Sequence, residues 1–513
     1  MKLTPQDLPA LDSLPFFQDP GPPPSRPPQP GFTVPPAVHR HLSGTPAETP
    51  PRPAPEPSAH QDRPPQLQED PQFWRAVADL RRQAVTAFTE ADDPTFTTAE
   101  REAMGRAEIA KVVTEHLNEL VRLGGQQAAE TAHHRRTRME TAVFNQIFRL
   151  GRYQDLLDDP QVENIHIHGC DQVFVELTGG RMERRAPVAS SDEELMADLQ
   201  FYAGRDGENA RPFSTHHPDL DIDLLGYVRL AALATPIAER PSAVLRVHRY
   251  INITLEQLVA LKLLSTYAAR FLTHAVEAKR SIVITGFGGD GKTTLMRALA
   301  AKIGPWEQIV TVEKERELHL KNLQNRQLPP FSLQYRPGSG ERGPDGRSPG
   351  EYTLEQCMEK ALRLNSQRIM VGEVRGLEIV SAIQAMQVGA GTFCTTHAYS
   401  PEDAIDRLTG LGMRQYTAEY MRTQLAQHLD LIVQLDKRPD PEGHLIRKVT
   451  HISEVQPGEG ARGVAINDLF RLEPGEELAR FRALPSNPRL LQALEHAGMD
   501  VQEFTAQVAG ERR

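Results

Sequence analysis

The chain has 513 residues, with 58 Lys and Arg against 68 Asp and Glu, for a net charge of −10. That length allows two or three domains with sizeable cores, and the acidic balance gives no global support to nucleic-acid binding. The three cysteines, Cys170, Cys357 and Cys394, are far apart, which excludes a disulfide framework and a zinc knuckle and suits a reducing compartment.

No apolar run approaches the ~18 residues of a bilayer span, and Met1–Asp7 lack the apolar core of a signal peptide. A cytoplasmic protein is expected, with any membrane role exerted through partners. Residues 1–70 hold twenty of the 41 prolines. Such a segment cannot bury enough apolar surface to offset its ordering entropy, so a disordered tail is predicted, either a spacer or a polyproline docking arm.

From 71 to 150 the pattern is helical, with stripes at Phe73, Val77, Leu80 and Val85, at Ala110, Val113, Leu117 and Leu120 up to Gly124-Gly125, and at Val143, Ile147 and Leu150. The basic run from His133 to Arg138 reads as a solvated helix face, or else a patch for nucleic acid or lipid headgroups. Residues 151–250 alternate short strands and helices, an α+β domain. Strands are predicted at 164–168 and 172–176, a hairpin across Gly226 and a strand at 244–249. His166, His168, His216 and His217 read as surface histidines rather than zinc ligands.

Residues 255–472 alternate strands and helices as in a parallel α/β sheet, with strands at 281–285, 308–312, 368–371, 392–396 and 430–435. Helices fit at 354–364, 377–387 and 401–408, residues 336–350 read as a flexible excursion, and 473–513 as a helical C-terminal tail. The first strand runs into Gly286, Phe287, Gly288, Gly289, Asp290, Gly291, Lys292, Thr293 and Thr294, which fit G-x-x-x-x-G-K-[ST]. The glycines let backbone N–H groups converge on phosphate oxygens, Lys292 would reach the β- and γ-phosphates and Thr293 would ligate magnesium. The same stretch contains G-x-G-x-x-G with Glu313 about 20 residues on, a dinucleotide pattern, and a structural glycine turn is a third reading. The Lys-Thr pair favours a nucleoside triphosphate. Asp290 is unexpected there, a carboxylate beside the phosphate site unless its side chain turns away.

Hydrolysis also needs a group that orients water and cations for the developing charge. Glu373 follows the third strand, where an open α/β sheet places its ligands, and is the candidate water-activating carboxylate. Glu313, with Glu317, occupies the corresponding end of the second strand and is a candidate for magnesium or its waters. His397 follows the fourth strand as a candidate γ-phosphate contact, and Arg375 would serve this site or a neighbouring subunit. The alternatives are a salt-bridged surface glutamate, an acidic helix start and an unremarkable histidine.

These motifs, in their order, resemble those of the type II/type IV secretion ATPases. Ile369–Arg375 resembles their Walker B segment, with glycine where most phosphate-loop enzymes have aspartate; Val312–Glu313 with Glu317–Leu318 resembles the Asp box, and Gly391–Ala398 the His box. The nearest likeness is to the CpaF/TadA branch, which powers Tad-type pilus assembly. The resemblance implies a RecA-like ATPase domain behind a smaller α+β domain, and a cytoplasmic hexamer at the inner face of the cell membrane. It also implies ATP and Mg2+ between the domains and inner-membrane platform proteins as partners. Arg229 and Arg246 match its arginine positions before the linker, and Arg336 and Arg363 match two more in the motor domain. Because Arg229 and Arg246 lie outside the ATPase domain, they are expected to reach the phosphate loop only when domains close or subunits meet. Lys314 stands in place of an aspartate and Tyr399 in place of an asparagine, and the zinc cysteines of the type II branch are absent. A nucleotide-binding scaffold with little turnover and a conjugation-type DNA-transfer ATPase are the alternatives.

Overall fold

The computed structural model describes residues 71–91, 96–204, 211–249, 252–323, 326–338, 343, 348–439, 445–459 and 463–510. The tail expected over 1–70 and most of the excursion expected over 336–350 lie outside the described residues. Two helices open the described chain, α1 (Pro71–Ala91) and α2 (Thr98–Phe148). Thr97 starts α2 with a capping box, its hydroxyl accepting from the Glu100 N–H while the Glu100 carboxylate accepts from the Thr97 N–H.

Three helices were expected here, but α2 runs through Gly124-Gly125 without a break. Each glycine costs roughly 1 kcal/mol relative to alanine in a helix. Val113 and Leu117 before them, and Met139 and Val143 after them, share one core with Val77, Leu80 and Ala84 of α1. Burial of several such side chains, at about 1.5–3 kcal/mol each, outweighs two glycines. Val85 and Leu120, expected on the buried stripes, are exposed. Arg135–Arg138 are exposed, with Arg136 paired to Glu140, as on a solvated helix face.

A short helix α3 (Gln154–Leu157) leads into the first sheet: β1 (Val162–His168), β2 (Gln172–Leu177), β3 (Met182–Arg185), then helix α4 (Asp192–Gly204), then β4 (Asp219–Leu224), β5 (Val228–Leu233) and β6 (Ser242–Val247). The order is β3-β2-β1-β6-β5-β4, every pair antiparallel. Side chains alternate along each strand, one face joining α4 in a core around Ile165, Val175, Leu195, Leu199 and Leu230. The other face carries the polar set that includes Arg229 and Arg246, which are cross-strand partners.

Helices α5 (Leu255–Ala260) and α6 (Thr266–Glu277) precede β7 (Ile282–Thr285), which leads through the glycine loop into α7 (Lys292–Ala300). Then come β8 (Ile309–Glu313), β9 (Phe331–Gln334), α8 (Leu354–Leu362), β10 (Arg368–Val371), α9 (Glu378–Gln387), β11 (Gly391–Thr396), α10 (Pro401–Gly412) and α11 (Ala418–His428). The chain closes with β12 (Leu431–Pro439), β13 (Leu445–Pro457), β14 (Val464–Arg471), β15 (Arg480–Phe481), α12 (Pro488–His496) and α13 (Val501–Gly510).

The second sheet runs β15-β14-β13-β12-β7-β11-β10-β8-β9. From β12 to β9 the strands are parallel and the central ones are buried throughout, which is why they read as continuous apolar runs. The antiparallel extension β13-β14-β15 was not expected; its strands mix charged and apolar residues because they are only partly buried, β13 being exposed at both ends.

The helical tail expected over 473–513 carries α12 and α13, and these helices pack on the motor core. Leu490, Leu494 and Phe504 of this segment are fully buried in the motor core, and the Phe504 ring lies 5.4 Å from Phe481 and 6.4 Å from Phe271. No helix among the described residues is long and apolar enough to cross a membrane.

Candidate active site

Strand order builds the site. β7, β11 and β10 are parallel neighbours, and the segments leaving their C-terminal ends carry the glycine loop, His397 and Glu373 respectively. In an open parallel sheet this edge is where ligands bind.

The loop conformation requires its glycines. Gly286 has φ 144°, and a Cβ there would come within 2.7 Å of the Leu435 carbonyl oxygen; Gly291, which starts α7, has φ 95°. Asp290 is turned inward. It is 2% exposed, and its carboxylate accepts the Phe287 N–H, so it braces the loop from within and does not face the cavity. Burial pushes its pKa up, with the Phe287 N–H and the ammonium groups of Lys292 and Lys437 opposing.

Lys292, Thr293 and Thr294 line a cavity of about 550 Å3, together with Gly288, Gly289 and Gly291. The Lys292 ammonium donates to the Gly286 carbonyl at 3.0 Å and the Phe287 carbonyl at 2.8 Å. Burial lowers its pKa to about 8, leaving it charged at neutral pH.

His397 stands between Lys292 and Glu373. Its Nε2 is 3.2 Å from Glu373 Oε1, and its Nδ1 is 3.3 Å from Lys292 Nζ and 3.1 Å from the Gly286 oxygen. Burial and then the Lys292 charge hold its pKa below the ordinary value, so the ring is neutral at pH 7. A neutral ring carries one N–H: donated from Nε2 it serves Glu373 and leaves Nδ1 to accept from Lys292, and donated from Nδ1 it serves the Gly286 carbonyl instead. Arg375 donates to the other Glu373 oxygen at 2.6 Å. Burial alone would raise the Glu373 pKa, but Arg375, His397 and Lys292 together hold it below the usual carboxylate value. The carboxylate is therefore ionised, able to accept from a water and to orient it.

Glu313, a candidate for magnesium or its waters, lines the cavity and also braces a turn. It is 3% exposed, and Oε1 accepts the backbone N–H groups of Glu317 and Leu318 at 2.9 and 2.8 Å. That turn carries Glu317 into the cavity, where it meets the Arg229 guanidinium. A Cβ on Gly372 would lie 3.2 Å from Glu313 Cγ, so the glycine in the third-strand motif leaves room for this side chain. Among the described residues no group of three or more His, Cys, Asp or Glu is arranged to hold a metal ion. Thr293 and Glu373, both lining the cavity, supply hard oxygen donors of the kind magnesium takes, and their small number suits an ion that keeps water and substrate phosphate oxygens as ligands.

Of the two routes expected for the arginines, the structure takes domain closure: Arg229 and Arg246 line the same cavity as the loop within one chain, and the Arg246 guanidinium lies 3.8 Å from where a Cβ on Gly289 would stand. Charged pairs hold the first sheet against the second: Arg229 with Glu317, Arg211 with Glu315, Lys314 with Asp221 and Arg447 with Glu163. Lys314, which departs from the family pattern, thus joins the two sheets. Arg336 and Arg363 do not line the cavity; Arg336 pairs through its backbone with Tyr352.

Sequence reading missed Lys437, Arg447 and His248, all of which line the cavity. Lys437 comes from the far end of β12 and Arg447 from β13 of the antiparallel extension, neither of which carries a motif, and His248 looks like any histidine beyond a strand. Ile253, Leu258, Leu261 and Leu263 add apolar lining to the cavity.

A family model described as "Type II/IV secretion system protein" matches residues 178–458. The chain is 34% identical over 174 residues to the type IV secretion system protein PtlH of Bordetella pertussis, covering 33% of this chain and 48% of that protein. It is 24% identical over 301 residues to the conjugal transfer protein TrbB of Rhizobium radiobacter, covering 58% of this chain and 85% of that protein. Among solved structures it is similar to the VirB11 ATPase of the Brucella suis type IV secretion system, with 24% identity and a TM-score of 0.30 over 60% of this chain and 97% of that one.

Proposed function

The chain belongs to the type II/IV secretion system protein family, and we propose that it is an ATP-hydrolysing motor of the CpaF/TadA branch that powers Tad-type pilus assembly or protein secretion. The observation that carries the reading is the line Lys292–His397–Glu373, set on the ends of three adjacent parallel strands beside a glycine loop of phosphate-binding form. In this reading the triphosphate lies along the loop and the N-terminus of α7, and the base against Leu258 and Leu263. Lys292 turns from the loop carbonyls to the β- and γ-phosphates. Glu373 orients the attacking water, and Arg375 and His397 keep its carboxylate ionised and aimed. His397 lies close enough to the loop to report the γ-phosphate. Arg229 and Arg246 add positive charge where the transferring phosphoryl develops negative charge.

Magnesium, held by Thr293 and Glu373 with Glu313 holding it or its waters, would neutralise phosphate charge. The active form is a homo-hexamer at the inner face of the membrane, in the cytoplasm, working with inner-membrane platform proteins and without direct nucleic-acid contact. The domain plan is the helical pair over 71–150, the α+β domain over 151–250, and a motor domain from 255 that takes in the C-terminal helices.

The test is steady-state ATP hydrolysis with nucleotide binding measured in parallel. Glu373→Gln should bind ATP as wild type does and lose at least a hundredfold in turnover. Equal hydrolysis by the two proteins would remove Glu373 from the chemistry. A scaffold without turnover would bind ATP and release no phosphate. The TrbB likeness favours a second reading, a conjugation-type motor, which salt-sensitive DNA binding by the purified protein would support.

A further inference from the structure

Arg447 makes contacts that the reaction as described above does not use. It lies on β13 opposite Lys437 of β12, in the antiparallel extension outside the parallel core. Its Nε donates to the Gly289 carbonyl of the glycine loop at 2.5 Å. Its two terminal nitrogens hold the Glu163 carboxylate in a bidentate pair at 3.0 and 2.6 Å. The stem runs along the loop, with Cδ 3.6 Å from where a Cβ on Gly291 would stand. Glu163 sits where the β1–β2 register shifts, between Val162 and Asn164; such irregularities re-aim side chains. The next residue, Asn164, is the cross-strand partner of Arg246. One planar guanidinium therefore joins the glycine loop to the strand pair that carries Arg246, with three N–H groups directed at two separate partners.

We propose that Arg447 is a positioning residue for phosphoryl transfer: through its bonds to Gly289 and Glu163 it sets the separation between the glycine loop and Arg246. The chemistry supports a strut over a simple ion pair. A guanidinium offers donors in a fixed fork, so the Gly289 and Glu163 contacts are made in one geometry, whereas an ammonium on a flexible stem serves one partner or the other. Misplacing Arg246 by an ångström would weaken a contact that matters most as charge develops, so the loss falls on kcat. The inference rests on the ATPase reading above and assigns the hairpin β12–β13 a task within that site.

The experiment uses the full-length protein, MgATP hydrolysis, and a fluorescent ATP analogue for binding. Arg447→Ala should lower kcat at least tenfold with KM within about threefold of wild type, and Arg447→Lys should fail to restore it. In wild type, Arg246→Ala should cost more than tenfold in kcat; on the Arg447→Ala background it should cost less than threefold more, because the alignment it depended on is already lost. A kcat for Arg447→Ala within twofold of wild type, or a double variant whose loss is the product of the single losses, overturns the strut. Full rescue by Arg447→Lys reduces it to a charge and also overturns it. If Arg447→Ala does not fold, Glu163→Gln decides: a fivefold or greater loss of kcat that is non-additive with Arg246→Ala supports the strut, and unchanged kcat overturns it. The two failures separate, since a wild type that binds ATP without turnover refutes the ATPase reading, and one that turns over regardless of Arg447 refutes only this inference.

Discussion

Glu313→Gln should make the protein more stable at pH 8 and change it little at pH 5. Burial raises the Glu313 pKa to about 7 from an ordinary 4.5, even though the N–H groups of Glu317 and Leu318 oppose the shift. Between pH 4.5 and 7 the folded protein keeps a proton that the unfolded chain has released. Stability therefore falls as pH rises through that window and levels off above it. At 1.36 kcal/mol per unit, the charged carboxylate costs the fold about 3 kcal/mol at pH 8. The amide oxygen of glutamine still accepts both backbone N–H groups, and the Thr311 hydroxyl beside it can take the amide hydrogen. For cooperative unfolding of the unit Gln66–Arg513, at roughly 2.1 cal/mol/K per residue, this corresponds to a gain of about 3 °C. Scanning calorimetry of both proteins at pH 5 and pH 8 reads it. The difference between the two chains cancels other groups that titrate there, such as Asp223, which burial also pushes up to about 7. A gap between the two melting temperatures that is the same at both pH values would refute the reasoning.

Two further outcomes can be checked. Because burial lowers Lys292 to about 8, affinity for a fluorescent ATP analogue should fall about tenfold per pH unit well above pH 8 as the ammonium is lost, and Lys292→Arg should remove that dependence; affinity of wild type that stays flat to pH 9.5 would contradict it. Phe504→Ala should cost about 3–5 kcal/mol by opening a cavity between Phe271 and Phe481 while leaving kcat intact; a loss below 1 kcal/mol in denaturant unfolding would show that α13 is not part of the motor core.

The strand ends of the candidate site were legible because their cause is local. A central parallel strand is buried on both faces, so Ile282–Thr285 and Arg368–Val371 are short, mainly apolar runs, and Gly391–Thr396 is a short buried run of small and apolar residues. The glycine loop is equally local, since left-handed φ at Gly291 and close approach at Gly286 restrict those positions to glycine. Glu373 and His397 were then found by position alone, each placed directly beyond such a strand.

Where reading from sequence failed, the deciding energy came from residues distant in the chain. The glycine pair at 124–125 reads as a helix end, and only the packing of both halves of α2 on α1 overrides it. The last forty residues show helical spacing, which says nothing of what the helices cover; burial of Phe504 among Phe271, Phe470 and Phe481 decides that. Asp290 looked like a repulsive carboxylate beside phosphate, and only the loop's own fold turns it onto the Phe287 N–H. By itself the sequence determined the five parallel strands β7, β8, β10, β11 and β12, the glycine loop and which side chains stand beyond the strand ends, because sterics and burial act within a few residues. Tertiary structure alone decided that Arg229, Arg246, Lys437 and Arg447 converge on that loop, because ion pairs between two sheets depend on how distant strands are set together, and spacing along the chain does not encode that.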